Sequence, residues 1–146
     1  MTTSDDGGYL DILRMMQRLG RDLIQMRDTD LSEIGVTFTQ SSAILFVGSN
    51  PGCRITDLGK NLEISHQATR TLVERMCAKG LLRTEVCEDD ARARSIELTK
   101  EGSSMETKIR SRGCRTGKDA LAGFDENELS EFESLLQRIR DNISDQ

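Results

Sequence analysis

The sequence has no tryptophan, one proline, one histidine and one tyrosine, and aromatic residues make up 3% of its 146 positions. With His66 as the single imidazole, placed at the start of a helical stretch, no Ser/His/Asp triad can be built, and no glycine-rich loop is present to cradle phosphates. An enzyme is the weakest reading, and no cofactor is expected. The cysteines at 53, 77, 87 and 114 include no CxxC pair, so a zinc ribbon or finger, which needs closely paired ligands, is excluded along with other structural metal sites. No secretory signal is apparent, and the cysteines are expected as thiols. No apolar stretch approaches the roughly 20 residues that span a bilayer. A soluble, cytoplasmic protein without a membrane partner is expected.

An excess of positive charge is also missing. The net charge is −5, which argues against indiscriminate binding to polyanions, because that affinity comes from basic residues displacing counterions. The distribution is uneven. Residues 1–53 carry four basic and seven acidic side chains, residues 54–100 nine and eight, and residues 101–146 seven and ten. The central third alone escapes the acidic bias. A locally basic surface in an acidic frame weakens nonspecific attraction while keeping a docking site.

Helical periodicity dominates the rest. Between Tyr9 and Arg27, Leu10, Leu13, Met16, Leu19, Leu23 and Ile24 recur at three-and-four spacing and predict a long first helix. Thr39 is placed to cap a second helix through Gln40, Ile44, Leu45 and Val47, which the breakers Gly48 to Gly52 stop. Ile55 to Leu62 reads as a short helix with Thr56 as its cap, and Ser65 caps the next. In that helix Thr69, Leu72, Val73 and Met76 form an inward stripe, and Gly80 ends it. Leu82, Thr84 and Val86, then Ile96 and Leu98, alternate as the strands of a hairpin with a charged tip. Lys100 to Leu121 and Glu126 to Ile143 complete the chain as helices. Their apolar stripes need a partner, and the same stripes of a second subunit would cover them in a two-fold homodimer.

Two short helices joined by a tight turn, then a basic hairpin, match a layout in which the second helix enters the major groove of DNA and a wing reaches the neighbouring groove. The chemistry suits it. On the solvent face Gln67 can make bidentate contacts to adenine, Arg70 to guanine or phosphate, and Thr71 to a phosphate or a thymine methyl. Arg92 and Arg94 are long cations for a narrow, electronegative minor groove. Arg75 fits salt bridges or phosphate positioning better than base contact, and Arg54 and Lys60 divide between phosphate contact and plain exposure.

At these residues the chain resembles the multiple-antibiotic-resistance regulators, the MarR family. The resemblance runs from the first helix to the last and is most specific at 38–46 (FTQSSAILF), 55–65 (ITDLGKNLEIS), 72–82 (LVERMCAKGLL) and 90–102 (DARARSIELTKEG). The family's wing signature is kept at Asp90, Arg92, Leu98, Thr99 and Gly102, with Ala91 in place of an arginine. The resemblance implies a mainly α chain with a small β-hairpin wing. It places dimerisation helices at 9–35 and 103–146 of a single 1–146 chain, and a winged helix-turn-helix lobe at 36–102. It further implies a transcriptional regulator, a repressor on a pseudo-palindromic double-stranded operator, released by a small aromatic or phenolic effector. Gln67, Arg70 and Thr71 then stand where relatives contact bases, and His66 stands where a lysine or arginine is common.

Several features carry two readings. Met15, Met16, Phe38, Ile44 and Phe46 would line an effector pocket where the first, second and fifth helices meet, or they are plain core. Cys77 and Cys87 offer a thiol-based redox-responsive regulator as the alternative to ligand control, although the family's peroxide sensors carry their reactive cysteine in the first helix and none stands between Tyr9 and Arg27. A winged-helix protein-interaction module with little DNA affinity is the remaining alternative, encouraged by the acidic balance.

Overall fold

The long first helix closes on a corner that orders the rest of the chain. In the computed structural model, which describes residues 6–146, α1 (Asp6–Ser32) extends past the predicted Tyr9–Arg27 in both directions. Its last apolar residue, Leu31, is fully buried. Next comes α2 (Phe38–Ser49), whose N-cap is Thr37 and not Thr39. Thr37 Oγ1 accepts from the Gln40 N–H at 3.1 Å while Gln40 Oε1 accepts from the Thr37 N–H, a reciprocal capping box. The Asp28 carboxylate accepts the Phe38 N–H at 2.6 Å, so the end of α1 caps the start of α2.

Three further segments form the lobe: α3 (Ile55–Leu62), α4 (His66–Ala78) and an antiparallel sheet of β1 (Cys53–Arg54), β2 (Leu82–Val86) and β3 (Arg94–Leu98) in the order β1-β3-β2. β2 and β3 form the predicted hairpin, with Leu82 opposite Leu98 and Thr84 opposite Ile96. β1 is an addition, pairing Cys53 with Ile96 and Arg54 with Ser95. Two residues are too few to carry an alternating pattern. The cap of α3 also differs from expectation: its N-cap is Arg54, two residues before the expected Thr56, and the Asp57 carboxylate accepts the Arg54 N–H at 3.0 Å.

The chain divides into two compact units, residues up to Gly113 and Cys114–Gln146, and the division falls inside α5 (Lys100–Ala120). The first unit holds the core: Leu31, Val36, Ala43, Ile44, Val47, Leu58, Val73, Met76, Leu81, Leu82, Ile96 and Ile109. α1, α2, α3, α4, the sheet and the first half of α5 each contribute to it. Arg112 of α5 ties back to the end of α1, donating to the Asp30 carboxylate and carbonyl and to Glu33 at 2.8, 3.1 and 2.8 Å. The second unit contains α6 (Glu126–Ser144), capped by Asp125 through a second capping box with Glu128. Phe132, Leu135, Leu136 and Ile143 of α6 are exposed, as are Leu10, Ile12, Leu13, Leu19 and Ile24 of α1. None of the helices among the described residues is long and apolar enough to cross a membrane.

Among the glycines of the lobe, the closest approach joins the turn after α4 to the first turn of α5. A Cβ added at Gly102 would stand 2.0 Å from the Leu81 carbonyl oxygen. That oxygen accepts the Thr99 N–H at 3.1 Å, and Thr99 Oγ1 donates to the Gly80 carbonyl and accepts the Gly102 N–H. Gly102→Ala is expected to lower unfolding stability by about 1–3 kcal/mol, the usual cost of overpacking, whereas Ser103→Ala on the exposed side stays within about 0.5 kcal/mol. Denaturant unfolding followed by circular dichroism compares the two, and equal midpoints would show that the junction has room to yield.

Candidate nucleic-acid interface

The pair α3 and α4 is held by a close backbone contact and a strained turn. Gly59 faces Thr69 so closely that a Cβ there would lie 2.8 Å from Thr69 Oγ1. Thr69 is fully buried, its hydroxyl donating to the Ser65 carbonyl at 2.7 Å, so a polar side chain occupies the helix crossing with its hydrogen bond satisfied. Ser65 caps α4 as expected, accepting the Ala68 N–H at 3.1 Å, and Gly80 closes the helix at φ 76°. Between the helices Glu63 takes φ 55°, the left-handed region, while its N–H and that of Ile64 return to the carbonyls of Lys60 and Gly59. A residue with a Cβ pays for that conformation where glycine would not.

This geometry sorts α4 into two faces. Thr69, Val73 and Met76 point into the core, and His66, Gln67, Arg70 and Arg75 are exposed. Thr71 is half-buried, its hydroxyl donating to the Gln67 carbonyl at 3.1 Å. His66 and Arg70 line one wall of a cleft of about 280 Å³, and Asp90, Arg92, Ala93 and Arg94 of the wing line the other, with Arg54, Ile55 and Thr56 between. Gln67, Thr71 and Arg75 lie on α4 outside this lining.

The wing tip is an ordered turn. Asp90 accepts the Arg92 N–H through its carboxylate at 2.9 Å and the Ala93 N–H through its carbonyl at 3.1 Å, and the Cys87 N–H donates to the Ala93 carbonyl at 3.0 Å. The aspartate of the wing pattern is therefore a turn former that sets the backbone from which Arg92 projects. Arg83 and Glu97, opposite each other in the β2–β3 register, form an exposed ion pair. Arg54 forms another, to Asp89, bridging the start of α3 and the wing tip. In each pair the hydrogen bond to the carboxylate, then its charge, pushes the guanidinium up from its ordinary range. The Arg54–Asp89 bridge is the element of the cleft that sequence spacing did not bring together. The available signal was a cation just after the Gly48–Gly52 breakers and the acidic run Glu88–Asp90.

The five residues with an effector-pocket reading separate. Ile44 is fully buried, Phe38 and Phe46 pack partly buried against the same core, Met16 is half-buried and Met15 is 70% exposed. All four cysteines are free. Burial, then the charge of Glu74, pushes the half-buried Cys77 thiol up, and burial, then Asp57, does the same for Cys53 against its own backbone hydrogen bond. Cys87 is half-buried at the wing base.

Two adjacent helices crossing at a tight turn, followed by a hairpin that shares a cleft with the second helix, define a winged helix-turn-helix. The family model described as the MarR family matches residues 34–93. Similarity extends well beyond that segment. The chain is 22% identical over 133 residues to an uncharacterized HTH-type transcriptional regulator, YybA, of Bacillus subtilis (strain 168), covering 91% of this chain and 89% of that protein. Its fold superposes on the transcriptional regulator SlyA with a TM-score of 0.83 at 22% identity, covering 92% and 95% of the two chains. It also superposes on a mutant MarR from E. coli complexed with operator DNA, with a TM-score of 0.81 at 17% identity, covering 93% and 99%. The winged lobe thus matches the MarR family model, and the similarity of fold to these regulators runs over nearly the whole chain.

Two outcomes follow from the site's geometry. Glu63→Gly is expected to stabilise the chain by about 0.5–1 kcal/mol, because relief of the left-handed strain exceeds the added unfolded-state entropy, while Glu63→Ala keeps the strain. A lower melting temperature for Glu63→Gly would contradict this. Since raised pKa values leave less thiolate at a given pH, Cys77 and Cys53 should react with iodoacetamide at pH 8 more slowly than the exposed Cys114. Peptide mapping of the alkylated protein over time reads the order directly.

Proposed function

We propose that this chain is a transcriptional regulator that docks on double-stranded DNA as a homodimer, with α4 in the major groove and the β2–β3 wing on the adjoining backbone and minor groove. The observation that carries the reading is the convergence of Arg54, Arg70, Arg92 and Arg94 on one cleft in a chain of net charge −5. Four guanidiniums so placed suit phosphate and base edges, which they meet as planar donor forks. The E. coli relative complexed with operator DNA supports DNA as the partner.

In this arrangement Arg70, near the start of α4, reaches a base edge or the flanking phosphate, with Gln67 and Thr71 beside it and His66 at the helix entrance. Arg92 enters the minor groove from a turn that Asp90 holds in shape. Arg94 supports it from the cleft wall, and Arg75 contacts the backbone farther along α4. The exposed apolar side chains of α1 and of α6 support pairing with a second copy, since a monomer rarely leaves so many large apolar groups in water. Two α4 helices related by a two-fold axis then read half-sites about one helical turn, roughly 34–36 Å, apart. Occupying promoter DNA in this way represses, and an aromatic or phenolic effector releases the dimer by changing the separation of the two α4 helices.

A fluorescence-anisotropy titration with a duplex from the gene's own upstream region tests the reading, alongside light scattering for the dimer. Arg70→Ala is expected to weaken binding by about 1–3 kcal/mol and to relax discrimination at one base position. Arg92→Ala is expected to weaken binding and flatten the dependence of log affinity on log salt by about 0.9. Both variants should keep the wild-type molar mass and melting curve. Unchanged affinity and salt slope in both would remove these assignments.

A further inference from the structure

The cleft between α4 and the wing contains a cation that is already engaged. Arg54, the N-cap of α3, lines that cleft with Arg70, Arg92 and Arg94, yet its guanidinium is bonded to the Asp89 carboxylate of the wing tip, 35 residues away. The wing does not depend on that carboxylate for its shape. Its turn closes through the side chain and carbonyl of Asp90 and the carbonyl of Ala93. Nor is the bridge strong. The side chains of Arg54 and Asp89 are 38% and 73% exposed, and ion pairs so wet are worth little and are screened by salt. The fold thus keeps a guanidinium in the cleft between α4 and the wing, covered by a carboxylate that it can surrender at small cost.

We propose that Arg54 is a backbone-phosphate-binding residue masked by Asp89, and that a DNA phosphate entering the cleft displaces the carboxylate. The inference rests on the DNA-docking reading above and adds to it a residue and a control on affinity. While the mask is in place Arg54 presents no net charge to passing DNA, so loosely bound, non-cognate duplex gains nothing from it. Duplex seated between α4 and the wing brings a phosphate to the guanidinium and takes over the carboxylate's position. Asp89 thereby lowers attraction to arbitrary sequence, in keeping with the acidic frame of the chain.

The test is anisotropy with a labelled duplex of scrambled sequence across a salt series, using full-length wild type, Asp89→Asn, Arg54→Met and the double variant, each checked for its circular dichroism spectrum. Asp89→Asn is expected to bind scrambled duplex about fivefold more tightly near 0.1 M salt, with the log–log salt slope steeper by about 0.9, one unmasked phosphate contact. In the Arg54→Met background the same change should alter affinity less than about twofold. Weaker binding by Asp89→Asn would overturn the proposal, because the bridge would then be a clamp that the wing needs. A full gain that persists without Arg54 would overturn it too, since simple repulsion between Asp89 and DNA would account for it. If wild type binds duplex and Asp89→Asn changes nothing, this proposal falls alone. If wild type binds neither the scrambled duplex nor the upstream region, the docking reading falls and this proposal with it.

Discussion

The contact of Gly102 with the Leu81 carbonyl sets the relation between the two parts of the molecule that would touch DNA. Leu81 follows the end of α4, and Gly102 lies in the first turn of α5, after β3. Because a Cβ at Gly102 would fall 2.0 Å from that oxygen, the backbones approach as far as glycine alone permits. Thr99 closes the same knot from both sides, donating to Gly80 and accepting from Gly102. The end of α4, the outer strand of the wing and the start of α5 therefore share one anchor.

The helix-turn-helix is built with less comfort. Gly59 and Thr69 allow α3 and α4 to cross closely, and the threonine hydroxyl at the crossing is turned back onto its own helix. The turn between them then has to pass through a left-handed residue, and the chain places Glu63 there. The strain is local and tolerated because both neighbouring helix ends are otherwise satisfied, α3 by the returning N–H groups of Glu63 and Ile64 and α4 by Ser65.

Elements with a long period were legible in the sequence. The stripe of α4, its Ser65 cap and its stop at Gly80 stand as read, as do both wing strands and the boundaries of α3. What escaped was short-range or long-range chemistry without a period. Thr37 and Thr39 are both plausible caps by residue type, and the choice is made by Gln40 and by Asp28 reaching from α1, ten residues before the Phe38 N–H it caps. β1 has two residues and exists because Ile96 offers its free edge. The bridge from Arg54 to Asp89 spans 35 residues, and no spacing rule predicts which of Glu88, Asp89 and Asp90 holds the arginine. The pattern at Asp90 and Gly102 was visible as family resemblance, while its reasons, an ordered turn and a backbone contact, required coordinates.

Charge then becomes a matter of placement. A chain with five more acids than bases cannot rely on bulk attraction, and the excess of acids over bases lies outside residues 54–100. Within that stretch carboxylates are used selectively: Glu97 neutralises Arg83 on the hairpin, Asp89 neutralises Arg54, and Asp90 is spent on the turn. Arg70, Arg92 and Arg94 line the cleft and, among the described residues, form no ion pair. Affinity built this way depends on a surface that fits between α4 and the wing, because at a distance the acidic frame dominates and at contact the arginines do. The short range of the attraction, about one Debye length of roughly 8 Å in physiological salt, makes shape fit the condition for gaining it.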